Sequence, residues 1–114
     1  MTKTELSKIL KSVPGAKVHE GEAAMESSGE YPKIVYWETV WSDDMSSGSD
    51  YDTVVTYQIS VVDRKPRGAA LLNLRKILKA NEMHPVWYHE RVKPDSGPAY
   101  YHSYCSLEVL EDIE

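Results

Sequence analysis

Two stretches rich in β-branched and aromatic residues, 33–41 and 53–62, flank a spacer that neither can absorb, and this arrangement limits the fold more than any other feature. Alternation with a period of two sends successive side chains to opposite faces of a sheet. In the second stretch Val55, Tyr57, Ile59 and Val61 form an apolar face, with Val54, Thr56, Gln58 and Ser60 behind them. In the first, Val35, Trp37, Thr39 and Trp41 oppose Ile34, Tyr36, Glu38 and Val40, so both faces carry large apolar groups. A strand with one wet face is polar at alternate positions. Ile34, Tyr36 and Val40 therefore predict that the second face is covered as well, with a partner subunit as a candidate cover. The spacer, residues 42–52, holds four aspartates (Asp43, Asp44, Asp50 and Asp52), four serines and one glycine. That composition offers too little apolar surface to order itself. The prediction is a long β-hairpin with a flexible acidic loop.

Helical periodicity appears twice. Leu6, Ile9, Leu10 and Val13 recur at the spacing of one helix face, Thr2 and Glu5 have capping-box spacing, and Pro14 and Gly15 end the segment. Ala70, Leu71, Leu74, Ile77 and Leu78 form a second stripe, entered past Pro66 and Gly68 and closed by Asn81 as a C-cap. Between the first helix and the hairpin, residues 16–19 suggest a short strand followed by a loop or weak-strand region. Residues 86–92 and 99–110 read as two further strands around a Pro- and Gly-containing turn at 93–98. In the last strand Ala99, Tyr101, Ser103, Cys105, Leu107 and Val109 share one face. The order describes an α+β protein: a mainly antiparallel sheet of four to five strands with two helices packed on one face. At 114 residues, with no internal repeat or long linker, the chain is expected to form a single domain over 1–114.

Charge and cysteine usage narrow the function. A net charge of −5 opposes binding to a phosphate backbone, which needs a basic stripe. The one basic cluster, Arg64, Lys65 and Arg67, adjoins Asp63 and reads as a solvated turn. No apolar run has the ~20 residues needed to span a bilayer, and the N-terminal residues lack the apolar stretch of a signal peptide, so the expected place is the cytosol. The single cysteine, Cys105, excludes an intramolecular disulfide and falls on a core face, where a small apolar residue is the ordinary reading.

No catalytic, metal or cofactor site is predicted. His102 and Cys105 lie three apart on a strand, hence on opposite faces, and cannot share an ion. The aspartates of 43–52 lack the glycine register and terminal glutamate of an EF-hand loop. Nothing in the sequence brings Asp63, Glu90 or Glu108 together as an acid/base pair. The aromatics say more. Eight tyrosines and three tryptophans with no phenylalanine suit surfaces that are wet at one end and buried at the other. They are too many for one core of this size, which favours an interface.

Residues 31–109 resemble, in pattern more than in identity, the tail-completion or tail-terminator proteins of long-tailed phages and prophages, including the tail-to-head joining proteins. The likeness rests on Pro32-Lys-Ile-Val-Tyr36 with Trp37-Glu38, the acidic spacer to Tyr51-Asp52, and the strand from Val54 to Val61. It continues through the helix from Leu71, His84-Pro85, and Tyr101-His-Ser-Tyr104. Residues 1–30 do not match closely. The resemblance implies a non-enzymatic subunit that joins copies of itself in a ring, expected to be a hexamer on assembly and compatible with a monomer in solution. That ring would sit at the head-proximal end of the tail, stop tube growth and meet the head connector, in the host cytoplasm during assembly and then in the virion. Its partners would be itself, the tail tube protein and the head connector or head-completion protein, with neither membrane nor nucleic acid sequence recognised. The hairpin over 38–53 would contact neighbouring subunits or the tube, which singles out Trp41, Asp43, Asp44, Asp50 and Asp52. Acidic residues there and basic Arg64, Lys65 and Arg67 at the other end of the second strand could pair across a head-to-tail interface. A head-completion or minor capsid role, and a peptide- or ligand-binding module, are the alternatives.

Overall fold

A computed structural model describes residues 1–26, 31–43 and 53–111. The chain is α+β, with two helices and a five-stranded mixed sheet of order β1-β2-β3-β5-β4. Helix α1 (Lys3–Lys11) starts as its sequence predicts, with the Thr2 hydroxyl accepting from the Glu5 amide at 3.2 Å. Helix α2 (Ala69–Ala80) ends at Asn81, whose side-chain amide donates to the Ile77 carbonyl at 2.9 Å. Both apolar stripes enter one cluster with the core face of the sheet. Leu6, Leu10, Leu74 and Leu78 meet Ile34 and Tyr36 of β2 (Lys33–Asp43), and Val55, Tyr57, Ile59 and Val61 of β3 (Thr53–Asp63). Cys105, Leu107 and Val109 of β5 (Tyr100–Glu111) complete it. No helix among the described residues is long and apolar enough to cross a membrane.

Three of the four strand pairings are antiparallel, and the fourth corrects the expected pattern: β1 (Lys17–Glu20) runs parallel to β2. A parallel neighbour needs a crossover, and the loop expected after β1 supplies part of it as a short 3-10 helix, Glu22–Glu26. The Lys33 ammonium fixes this turn by donating to the Ala24 and Met25 carbonyls at 3.0 and 3.3 Å. These bonds keep a fully buried lysine from standing unsatisfied. The Lys3–Glu20 pair at 2.8 Å ties α1 to the end of β1 and raises the Lys3 pKa through that bond. Both side chains are exposed enough that water screens most of its contribution.

The expected face assignment of β2 is also corrected. Ile34 and Tyr36 lie beneath the chain's own helices, so a partner is not needed to cover them. The pairing shifts between Glu38 and Val40, leaving Thr39 as the extra residue of a bulge. Past it the parity reverses. Trp41 pairs with Val55 and so joins the side of Tyr36 and Glu38, while Val40 pairs with Thr56 on the opposite face. Strand β4 (Tyr88–Val92) starts later than expected and leaves Val86 exposed. The spacer's Asp44, Asp50 and Asp52, and the acidic loop itself, lie outside the described residues.

Candidate functional site

Three places hold enough chemistry to be considered. The first is a hydrogen-bonded chain on the sheet face turned away from the helices. Register puts Ser60 of β3, His102 of β5 and Glu90 of β4 on that face, within reach of one another across three strands. His102 Nε2 lies 2.7 Å from the Ser60 hydroxyl, and Nδ1 lies 2.9 Å from a Glu90 carboxylate oxygen. The connectivity is that of a serine, histidine and carboxylate triad. Access decides against that chemistry. Ser60 is fully buried, with Gln58 Nε2 donating to its hydroxyl oxygen at 3.2 Å, so a substrate carbonyl has no path to it. The chain instead satisfies polar groups that the sheet has buried, as low-dielectric surroundings require. Tyr104 stacks on it, its ring 4.8 Å from that of His102 and 5.5 Å from that of Tyr88. Sequence reasoning placed His102 and Cys105 on opposite faces correctly but missed this triplet, because cross-strand register is invisible in a single sequence. Cys105 stands in the core, and burial pushes its thiol up to about 12, which removes it as a nucleophile. Among the described residues no three His, Cys, Asp or Glu side chains converge where a metal could sit.

The second place is the hairpin end. Trp41, more than half exposed, donates from Nε1 to the Glu38 carboxylate at 3.0 Å, and Asp43 accepts from the Thr53 hydroxyl at 2.9 Å. Val40 and Leu110, on strands either side of β3, are 52% and 47% exposed, so this end carries large apolar groups with no cover.

The third is at the other end of the strands, where the basic cluster stands. Its residues do not converge. Asp63 accepts from the backbone amides of Arg64 and Lys65, closing the turn, and the Arg64 guanidinium lies over the Tyr31 ring at 4.7 Å. Lys65 is exposed. Arg67, held at a positive φ of 53°, turns instead to a groove of about 670 Å³ between α2 and β4. There it meets two arginines that no sequence pattern grouped with it, Arg75 of α2 and Arg91 of β4, over a floor that includes Leu71, Leu72 and Trp87. Among the described residues none of the three is in an ion pair, and Glu90 at the groove wall bonds His102 instead. Such a groove can hold an extended apolar segment bearing carboxylates. No protein-family model matches this chain, and no curated protein matches it.

Proposed function

We propose that the chain is a phage or prophage virion assembly protein: a tail-completion or tail-terminator subunit that forms a ring at the head-proximal end of the tail and joins it to the head connector. The observation that carries this reading is the uncovered hairpin end, where Val40, Trp41 and Leu110 stand exposed beside Glu38 and Asp43. Val40 and Leu110 on one face and Trp41 on the other leave large apolar groups exposed at this end, and exposed groups of this kind mark a surface meant for a partner. The sequence pattern of residues 31–109 supports the family reading. Surfaces of opposite charge at opposite ends of β3 suit a head-to-tail contact, the kind that repeats around a closed ring.

The test is deletion of the gene from the phage or prophage genome that carries it. Filled heads and separate tails of irregular length are the expected products, with normal virions restored by the wild-type gene but not by Trp41→Glu. Normal virions from the deletion would refute the proposal. Leaking heads beside tails of normal length would instead assign the head-completion role. A peptide-binding module is the second reading, and the arginine-lined groove favours it; a strictly monomeric protein that binds an acidic peptide would select it.

A further inference from the structure

We infer that the groove between α2 and β4 is the acceptor for the acidic hairpin end of a second copy of this chain. The inference rests on the self-assembly reading and names the surface that would serve it. Charge complementarity carries it. The groove places Arg67, Arg75 and Arg91 around an apolar floor; its one lining carboxylate, Glu90, is bonded to His102, and none of the three arginines is in an ion pair among the described residues, in a protein whose net charge is −5. The chain itself contains a segment of matching chemistry. Residues 41–53 combine four aspartates with Trp41, Met45 and Tyr51, and carry no lysine or arginine. Guanidinium groups form paired hydrogen bonds with carboxylates, and the floor of Leu71, Leu72 and Trp87 suits the apolar side chains between them.

The two surfaces of one molecule cannot meet each other. Val61 pairs with Ser103 at the groove wall, while Thr53 stands at the hairpin end, eight residues along the same strand. At roughly 3.3 Å per residue this is a separation of about 26 Å. The acceptor must therefore belong to another molecule, and a donor at one end with an acceptor at the other gives a heterologous contact that repeats. Strand β4, at the edge of the sheet, runs beside the groove and leaves an edge to which an extended segment can add.

Fluorescence anisotropy of a labelled synthetic peptide of residues 41–53, titrated with the whole protein, tests the inference. Saturable binding is expected, weakened at least tenfold by Arg75→Glu with Arg91→Glu, by salt, and by exchanging the peptide's aspartates for asparagine. Both arginines are exposed, and circular dichroism checks that the variant remains folded. No saturable binding, or binding that ignores both substitutions, would overturn the inference. Sedimentation of the same proteins separates it from the ring reading. Assembly that persists in the double variant overturns the groove assignment and leaves the ring intact. Peptide binding by a protein that never assembles overturns the second copy as the occupant and selects the peptide-binding reading of the groove.

Discussion

At the scale of single residues, burial decides chemistry. Cys105 and Ser60 carry nucleophile chemistry in principle, and both are closed in by the sheet. The Cys105 thiol ionises near pH 9 in an unfolded chain and near 12 in the folded one. Its folded pKa is the raised one, so its contribution to stability is complete below about 9 and is lost as pH rises toward about 12. Urea unfolding across that window should show stability falling more steeply in the wild type than in Cys105→Ala, and a thiol reagent should label Cys105 only on unfolding. Equal slopes, or rapid labelling of folded protein, would contradict its placement. The Ser60–His102–Glu90 chain makes a second expectation. Ser60→Ala leaves His102 Nε2 without its partner in a buried place and should cost about 1–3 kcal/mol. Glu90→Gln acts on a carboxylate that is half exposed and should cost less than about 1 kcal/mol. A reversed order in denaturant titrations would mean that the carboxylate, rather than the hydroxyl, anchors the imidazole.

Among the elements, those whose partners are near in sequence were the legible ones. The two helices, their Thr2 and Asn81 caps and the core faces of β3 and β5 follow from periodicity and capping chemistry, which are local. What periodicity could not carry was parity past Thr39, since one inserted residue reverses every side chain beyond it. The parallel pairing of β1 escaped for a related reason: a four-residue strand carries little signal, and its direction is set by the crossover anchored on Lys33. The groove went unseen because Arg67, Arg75 and Arg91 come from a turn, a helix and a strand whose distance depends on the packing of α2. One connection can be tested directly. Gly68, the N-cap of α2, lies against Asp63, and a β-carbon there would run into the carboxylate that accepts from Arg64 and Lys65. Gly68→Ala should therefore destabilise by about 1 kcal/mol more in the wild type than in an Asp63→Ala background. Simple additivity in that double-mutant cycle would show that the contact does not constrain the turn.

Taken as a whole, the molecule separates two surfaces along its strands: an apolar and acidic hairpin end, and an arginine-lined groove. The core is complete without a partner, because Ile34 and Tyr36 are covered from within, so the subunit is expected to fold alone and assemble afterwards. Assembly driven by exposed aromatic groups and complementary charge depends on concentration and weakens with salt. The most direct measurement is sedimentation velocity of the full chain over a wide range of concentration, at low and high salt, beside Val40→Glu with Trp41→Glu. The expected result is a larger discrete species that grows with concentration, recedes in salt and is missing from the double variant. A wild-type protein that sediments as a monomer under every one of these conditions would contradict the self-association at the centre of the account and leave only a ring that forms on the tail itself.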